Sequence, residues 1–404
     1  MTSTTVTFKA VGDVALYENI EAMMIEAGYD WPFAHVQHIL KESDILFGNM
    51  ESVFLPADHP ARASQTKVPG LVTLSDNPAP FAESLKNAGF TIMNLAANHV
   101  LDVGTTGMFH TQRTLENTGI KTAGVGETQS SARKPAFIEK NGIRFAFLCY
   151  CEDNNYTVST LGPGPAYYET NAIIADIESV RSSVDIVVVS IHADLEFMET
   201  PSVPRRSAAR RIAESGADII LMHHPHVPQG IEMHQGTLIA YSLGNFVFNA
   251  HTSNYMKSNG VWTGKSFILE MTVGKSGVQK FSRVPFIINP PPEQRPIPAA
   301  GTDERDLLAY FNSLDAMLQN DSIVEKNWLA AAERTFIAHI QNIVNAEDPS
   351  LALKKVLPRL LFTAEDVSFV QALTDRARGV YESARRQDAL HQRPLDILNE
   401  EAAR

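Results

Sequence analysis

The stretch Asp-Ile-Val-Val-Val-Ser-Ile-His, residues 185–192, is the clearest strand signal in the chain. A second apolar run, residues 217–222, is followed directly by His-His-Pro-His at 223–226. Continuous apolar runs of this length indicate strands of a sheet that is covered on both faces. In layered α/β folds, ligands bind beyond the carboxyl ends of the strands. The two stretches therefore predict an α/β fold with a ligand site where these strands end.

The same arrangement recurs in the N-terminal part of the chain. Three further apolar runs, at residues 6–11, 44–47 and 90–95, are followed by Gly12-Asp13, by Gly48-Asn49-Met50-Glu51 and by Ala96-Ala97-Asn98-His99. Helical patterns lie between the runs, at residues 78–88, 107–118, 171–182 and 203–215. This alternation of strands and helices predicts a layered α/β architecture.

Three hairpin signals predict that antiparallel strands join this sheet. Residues 136–139 and 143–150 flank Lys140-Asn141-Gly142, which is typical of a type I′ turn. The other two pairs are residues 230–233 with 237–242 and residues 264–273 with 278–288.

The composition of the sequence becomes rich in proline at residues 289–296, which read Asn-Pro-Pro-Pro-Glu-Gln-Arg-Pro. Proline lacks the amide donor that helices and sheet ladders need, so this segment favours an extended linker. We predict a core domain over residues 1–289, a Pro-rich linker over 290–302 and a helical C-terminal region over 303–404. This region would pack on the core or on a partner, and self-association is one role for it.

Composition narrows the class of protein. The 404 residues are 44% hydrophobic with a net charge of -12, which is typical of a globular protein and disfavours nucleic-acid binding. No apolar run reaches about 18 residues and no leader pattern is evident, so we expect no membrane span and a cytoplasmic location. Cys149 and Cys151 are too few for a disulfide scaffold, and we expect buried thiols.

The strongest acid–base candidate is the run Asn98-His99-Val100-Leu101-Asp102. It combines an amide, an imidazole and a carboxylate at one junction between a strand and a helix. The amide oxygen suits a hard cation. His99 suits proton transfer, and Asp102 is placed to orient it.

The His-Pro-His motif at residues 224–226 is the sharpest metal signal. Proline disfavours a helical conformation before it, so His224 and His226 are predicted to be extended and to face one side. Imidazole suits Zn, Fe, Mn and Ni, whereas the oxygens of Asp13, Asn49 and Glu51 favour Mn, Mg or Ca. Turn or helix-cap chemistry is the alternative for these three oxygen residues.

Further residues are assigned to supporting and substrate roles. His192 is a metal-ligand candidate, with an ordinary core histidine as the alternative. His223 and Asn245, the latter in Ser-Leu-Gly-Asn-Phe at 242–246, are predicted to support the ligands. The candidates for binding substrate are Lys67, Glu196, Arg205 and Arg206. The three cations suit substrate carboxylates or phosphates, and a solvated face is the alternative for them.

Taken in order, these segments resemble the CapA family, which is associated with bacterial capsule and poly-γ-glutamate synthesis and is similar to the calcineurin-like metallophosphoesterases. The resemblance covers roughly residues 6–248. The segments that carry it are Gly12-Asp13-Val14, Gly48-Asn49-Met50-Glu51, Ala97-Asn98-His99-Val100-Leu101-Asp102, His192, His223-His224-Pro225-His226-Val227 and Tyr241-Ser242-Leu243-Gly244-Asn245-Phe246.

The resemblance implies a four-layer α/β/β/α metallophosphatase-like sandwich and a centre of one or two divalent ions, Mn, Zn, Fe or Mg. The implied ligands are Asp13, Glu51 or Asn49, Asn98, His192, His224 and His226, with His99 and Asp102 as the acid–base pair. The sequence departs from the phosphoesterase pattern at Ala15, which replaces a histidine, and at Asn49, which replaces an aspartate.

The sequence is compatible with three functions. The first is a metal-dependent hydrolase of a phosphoester or of a γ-glutamyl or cell-envelope peptide or polymer. The second is a peptide epimerase on the same site, which product stereochemistry would reveal. The third is a non-catalytic assembly factor, for which His99→Ala would be harmless and loss of the helical tail would not.

Overall fold

The computed structural model describes residues 4–63, 68, 70–152, 162–345 and 347–348. The chain divides into two compact units, Met1–Asn327 and Trp328–Arg404. The first unit contains the sheets described below and every residue of the candidate site. In the second unit the structure describes residues 328–345 and 347–348, of which 328–344 are helical, and the rest of the predicted helical tail lies outside the described residues.

The strands alternate with helices through most of the first unit. In chain order they are β1 (Val6–Val14), β2 (Ile45–Met50), β3 (Val53–Phe54), β4 (Val72–Thr73), β5 (Ile92–Asn94), β6 (Lys121–Ala123), β7 (Val125–Gly126), β8 (Ala136–Lys140), β9 (Ile143–Cys151), β10 (Gly164–Pro165), β11 (Ile186–His192), β12 (Ile219–His223), β13 (Ile231–His234), β14 (Thr237–Ala240), β15 (Asn245–Val247), β16 (Lys265–Gly274), β17 (Gly277–Ile288) and β18 (Pro296–Pro298).

The α-helices are α1 (Asn19–Ala27), α2 (Gln37–Lys41), α3 (Ala79–Ala88), α4 (Gly104–Asn117), α5 (Gln129–Ala132), α6 (Thr170–Arg181), α7 (Val203–Glu214), α8 (Asn254–Ser258), α9 (Thr302–Leu318) and α10 (Asp321–Val344). Short 3₁₀ helices occupy Trp31–Phe33, Pro60–Ala63 and Val261–Gly264. Each predicted strand, helix and hairpin named above has a counterpart among these elements, with ends that differ by a few residues.

Two mixed sheets form the middle of the unit. The first has the order β18-β17-β16-β1-β2-β5-β6, with β15 also paired to β1, and the second has the order β13-β14-β12-β11-β9-β8. Apolar side chains of both sheets, among them Phe8, Phe47 and Phe147, form one buried cluster between them. The rings of Phe47 and Phe147 stack with centroids 6.1 Å apart.

Helices cover the outer faces of both sheets. Phe81 of α3 and Met108 of α4 belong to the apolar cluster on the outer face of the first sheet. Ile177 of α6 and Ile212 of α7 belong to the corresponding cluster on the second sheet. The predicted four-layer α/β/β/α sandwich is confirmed. Its physical basis is that strands apolar on both faces need a covering layer on each.

Part of the segment predicted as a linker is paired in the first sheet. Pro296–Pro298 forms β18, an edge strand that pairs with β17 over Phe286 to Ile288. An edge strand needs a ladder on one side only, so proline is tolerated there. The following helix α9 places Phe311 and Leu314 in the cluster between the sheets. The start of the predicted helical region therefore contributes to the core of the first unit.

The parallel register brings the ends of the central strands to one level. Asp13 of β1 pairs with Asn49 of β2, and Asn49 pairs with Asn94 of β5. In the second sheet His192 of β11 pairs with His223 of β12. Because these strands run parallel, the polar residues that end them lie at the same edge of each sheet.

We predict that Gly12→Ala destabilises the fold. A Cβ atom at position 12 would lie 1.8 Å from the carbonyl oxygen of Gly244, which is backbone and cannot rotate away. We expect the free energy of unfolding to fall by about 1–3 kcal/mol, as in other overpacked cores. Urea denaturation measures the change.

The matched control is Gly164→Ala, where the nearest atom to an added Cβ is Leu101 Cδ1 at 3.8 Å. We expect its free energy of unfolding to change by no more than about 0.5 kcal/mol. Equal stability of the two variants would contradict the close approach of β1 to Gly244.

Candidate metal centre

Carboxylates and imidazoles converge beyond the ends of the central strands. His226 Nε2 lies 3.6 Å from Glu51 Oε1 and 3.9 Å from Glu196 Oε1, and His226 Nδ1 lies 3.6 Å from Asp13 Oδ2. Two sets of three residues place their ligand atoms within 4.8 Å of one another. One set is Asp13, Glu51 and His226, and the other is Glu196, His224 and His226.

The hydrogen bonds of His226 determine which nitrogen is available for a metal. Its Nδ1 lies 2.9 Å from Asn245 Oδ1, while Asn245 Nδ2 donates to the carbonyl of Thr263 at 2.9 Å. An amide oxygen can only accept, so Nδ1 carries the proton. The lone pair is therefore on Nε2, which faces Glu51 and Glu196. A backing hydrogen bond of this kind orients many metal-binding histidines.

A chain of amide hydrogen bonds runs beside this cluster. Asn49 Nδ2 donates to Asp13 Oδ1 at 2.8 Å and lies 3.1 Å from His192 Nδ1, and Asn94 Nδ2 donates to Asn49 Oδ1 at 2.6 Å. His192 Nε2 lies 2.9 Å from Asn98 Oδ1. Asn49 thus presents its nitrogen to Asp13, and its oxygen accepts from Asn94. One lone pair of the Asn49 oxygen is therefore engaged by Asn94, and its ligand role stays a prediction.

Several candidate ligand atoms of the cluster are buried and have no hydrogen-bond partner among the described residues. They are Asp13 Oδ2, both carboxylate oxygens of Glu51, and His224 Nδ1. Buried polar groups are nearly always satisfied, and an unpaired buried carboxylate is costly. Oxygen and imidazole donors together suit Mn, Fe or Zn. The donor set therefore fits a divalent cation.

Burial also shifts the pKa values in this cluster. Burial raises the pKa of Asp13 to about 7, and it raises that of Glu51 well above the usual range, with the Asp13 and Glu196 charges adding to the effect. Burial lowers the pKa of His192 and His224, and it lowers that of His226 to about 4. The neutral imidazole is the form that binds metals.

The backbone of the His-Pro-His motif is not extended. His224 has φ +98° and His226 has φ +58°, so the predicted extended geometry is wrong. Positive φ is unfavourable for residues with a Cβ and persists where the surrounding structure requires it, often at functional sites. The two rings nevertheless face one region, with centroids 5.9 Å apart, and the ring of His192 lies 5.0 Å from that of His224.

His223, predicted to support the ligands, is fully buried beside this region. Its Nδ1 lies 3.6 Å from Asp13 Oδ1, and its ring stacks on Phe47 at 5.9 Å. Burial lowers the pKa of His223 to about 3. The structure therefore places a neutral imidazole directly behind the Asp13 carboxylate.

His99 and Asp102 form a pair at the edge of the cluster. His99 Nδ1 lies 2.7 Å from Asp102 Oδ2, and the amide of Leu71 donates to the same oxygen at 2.7 Å. A Cβ at Gly70, whose φ is +94°, would lie 2.0 Å from that oxygen, so glycine allows this close approach. Burial raises the pKa of Glu196, and the hydrogen bond from Tyr255 and the charge of the nearby His99 oppose this shift.

The residues predicted to bind substrate have varied surroundings. Lys67 lies outside the described residues. Arg205 is fully buried, donates to Glu152 at 3.1 Å and lies 4.0 Å from the centroid of the Tyr168 ring.

Arg206 donates to the carbonyl of Leu318 at 2.9 Å and to Asp321 at 2.6 Å. Its guanidinium is therefore engaged at the C-terminal end of α9, so the structure corrects the prediction that Arg206 contacts substrate. Glu196 is placed among the metal-ligand candidates instead.

Sequence reasoning missed several residues that shape the site. Asn94 orients Asn49, and Leu71 holds Asp102 through its backbone. The hydroxyl of Tyr255 donates to Glu196. Asn94 is the last residue of β5, so the search for polar residues at strand ends could have found it. No local pattern marks Leu71 or Tyr255, because each reaches its partner only through the folding of the chain.

Fold and site together define a four-layer α/β/β/α protein with a buried carboxylate–imidazole cluster at the strand ends. The chain belongs to the family described as bacterial capsule synthesis protein PGA_cap, whose model matches residues 7–250. The resemblance inferred from the motifs is confirmed. Among the helices of the described residues, none has both the length and the apolarity needed to cross a membrane.

Similar proteins include two from Bacillus. The "PGA biosynthesis protein CapA" of Bacillus subtilis (strain 168) is 31% identical over 283 residues, which cover 69% of this chain and 70% of that protein. The "Capsule biosynthesis protein CapA" of Bacillus anthracis is 30% identical over 251 residues, 60% of each chain. The solved 5'-nucleotidase of Candida albicans SC5314 aligns with a TM-score of 0.40 and 12% identity, over 83% of this chain and 58% of its own.

We predict that His226→Asn weakens the binding of Mn²⁺ at least about tenfold, because this residue belongs to both sets of candidate ligands. Equilibrium dialysis followed by metal analysis measures the affinity. The control is His234→Asn, since His234 pairs with Glu214 at 2.8 Å on the half-exposed end of β13. Unchanged binding by His226→Asn would refute the assignment.

Proposed function

We propose that this protein is a metal-dependent hydrolase that acts on a polymer or precursor of capsule synthesis. The observation that supports it is the convergence of Glu51, Glu196 and the lone pair of His226 within 4 Å, next to an oriented His99–Asp102 pair. Metal ligands and an adjacent acid–base pair are the groups that metal-assisted hydrolysis requires.

The residues that would hold the cation are Asp13, Glu51, His224 and His226, with Glu196 completing the set. When bound, a divalent cation supplies Lewis acidity, which acidifies water and neutralises charge that develops on the scissile group. The chain contributes the burial that excludes bulk water and the hydrogen bond from Asn245 that aims His226. His192, Asn49 and Asn98 contribute the hydrogen-bonded wall behind the ligands.

His99 is the proposed general acid. Its Nδ1–H is donated to Asp102, which leaves Nε2 as the atom for proton transfer to the leaving group. Asp102 is in turn fixed by the amide of Leu71, so the imidazole ring is held in one orientation. Such an arrangement resembles other orienting carboxylate–histidine pairs in acid–base catalysis.

The substrate class is inferred from the family and from the chemistry of the site. Relatives in Bacillus are named for the biosynthesis of PGA or of capsule. A γ-glutamyl chain offers carboxylates and amide carbonyls, which are ligands for a hard cation. Trimming or release of such a polymer fits hydrolytic chemistry and a biosynthetic role together.

A non-catalytic role in polymer assembly is the second candidate. It is favoured by the names of the relatives, which describe biosynthesis and not hydrolysis. Epimerisation of a peptide residue on the same site is the third possibility. Incubation of a γ-linked glutamate oligomer in H₂¹⁸O, and separately in D₂O, distinguishes the three outcomes. Hydrolysis places ¹⁸O in a shortened product, epimerisation places deuterium at the α-carbon, and an assembly factor does neither.

We predict that His99→Gln lowers kcat by about 100-fold to 10,000-fold, because glutamine cannot supply the proton. The affinity for Mn²⁺ should change less than threefold, since His99 is absent from both sets of candidate ligands. The assay uses the γ-linked oligomer and a p-nitrophenyl phosphodiester. His38→Gln, on the exposed face of α2, is the control and should retain full activity. Full activity of His99→Gln would exclude His99 as the acid.

A further inference from the structure

We propose that the hydroxyl of Tyr17 binds the substrate and donates a hydrogen bond to the carbonyl oxygen of the scissile amide as that oxygen becomes negatively charged. The inference rests on the proposed hydrolysis and adds a residue to it. Water bonds through its oxygen to the carbonyl carbon, and the carbon–nitrogen bond breaks. The nitrogen takes a proton from His99, which regains one from the water, and Tyr17 keeps its own. Tyr17 lies outside the motifs that mark the other site residues.

Backbone hydrogen bonds hold the end of β1 beside the segment that carries Glu51. The amide of Glu51 donates to the carbonyl of Val14 at 2.9 Å. The amide of Leu16 donates to Ser52 Oγ at 2.8 Å, and Ser52 directly follows Glu51 in the chain. Tyr17 is the next residue after Leu16. Its main chain is therefore fixed close to that of a candidate metal ligand.

The ring of Tyr17 connects to the metal centre through Phe248. It packs edge-on against the Phe248 ring with centroids 6.1 Å apart, and the Phe248 ring lies 4.9 Å from that of His226. Tyr17 is buried. Burial, followed by the negative charges of Glu18 and Glu51, raises the pKa of the Tyr17 hydroxyl. The hydroxyl is therefore close enough to Glu51 to respond to its charge, and it keeps its proton at neutral pH.

Asn249 presents a donor, and not an acceptor, to Tyr17. Its Oδ1 accepts from Gln294 Nε2 at 2.7 Å, while its Nδ2 lies 3.5 Å from the Tyr17 carbonyl oxygen and 3.4 Å from Glu18 Oε2. The Asn249 amide opposes the rise in the pKa of the Tyr17 hydroxyl, as a donor does. Neither carboxylate oxygen of Glu51 accepts a hydrogen bond from the described residues. Within the part of the chain that the structure describes, the hydroxyl proton of Tyr17 thus remains available to a substrate oxygen.

An oxygen that becomes negatively charged at this site needs a hydrogen-bond donor. Ionised carboxylates can only accept, Arg205 is paired with Glu152, and Arg206 is engaged at the end of α9. A neutral phenol donates without adding charge to the cluster. Fixed donors directed at a developing oxyanion in a site shielded from water are among the largest contributions to catalysis. Tyr17 therefore has the chemistry that the proposed reaction requires.

The experiment compares Tyr17→Phe with the matched control Tyr29→Phe in the full chain. Tyr29 packs edge-on against Phe81 at 5.1 Å in the outer apolar cluster of the first sheet, so the control removes a hydroxyl from the same kind of ring contact. Both variants keep the ring and its packing. The measurements are Mn²⁺ affinity by equilibrium dialysis, kcat and KM on the γ-linked glutamate oligomer, and calorimetric affinity of the Mn²⁺-loaded protein for inorganic phosphate. Phosphate supplies the charged oxygen that a neutral amide lacks before the reaction.

We expect Tyr17→Phe to lower kcat about 100-fold to 1,000-fold with KM changed less than about threefold, because the hydrogen bond forms with the developing charge. Phosphate should bind at least about tenfold more weakly, while Mn²⁺ affinity stays within about threefold. Tyr29→Phe should match the unaltered protein in all three measurements.

Unchanged kcat and phosphate affinity in Tyr17→Phe would overturn the inference and leave the metal centre in place. A loss of Mn²⁺ affinity in parallel with the loss of activity would also overturn it, since Tyr17 would then support the ligands and not the substrate. Failure of the unaltered protein to cleave the oligomer would count against the proposed function, and the phosphate comparison would then decide on the Tyr17 donor.

Discussion

The burial of ionisable groups without enough partners is the constraint on which the site depends. Asp13 and Glu51 are fully buried, and both carboxyls have oxygens that accept no hydrogen bond from the part of the chain that the structure describes. Burial is the largest cause that raises the pKa of both groups and lowers the pKa of the neighbouring imidazoles, and nearby like charges add to it for Glu51 and His224. A divalent cation reverses each of these penalties at once, because it stabilises the carboxylate and the neutral imidazole. The free-energy cost of burying these carboxylates and imidazoles together is thus the clearest physical argument that the cluster suits a divalent cation.

The four-layer architecture is what makes such burial sustainable. Strands from both sheets end at this cluster, and apolar layers on either side exclude water from its base. The close approach of Gly12 to Gly244 brings β1 against the loop before β15. His224 and His226 keep their unfavourable positive φ angles because the surrounding structure holds the backbone in this conformation.

Rigid and accessible parts of the site are built on different elements. Asp13, Asn49 and His192 lie on strands and have their orientation fixed by the amide hydrogen-bond chain. Glu196 and Asp102 lie on connecting segments, where a tyrosine hydroxyl and a backbone amide hold them. Strand residues suit tightly held ligands, and loop residues suit groups that meet substrate.

Local sequence was sufficient to predict the strand ends, the His-Pro-His cluster and the His99–Asp102 pair, since these depend on neighbours within a few residues and on apolar periodicity. Local sequence did not reveal the side-chain contacts between residues that are far apart in the chain. The amide nitrogen of Asn49 donates to Asp13, and Arg206 donates to Leu318 at the end of α9 and to Asp321 at the start of α10. Glu196 lies close to His226 and accepts a hydrogen bond from Tyr255. Which side chains come close enough to share a cation was decided by tertiary structure alone, because the register of two packed sheets determines the distances between residues far apart in sequence.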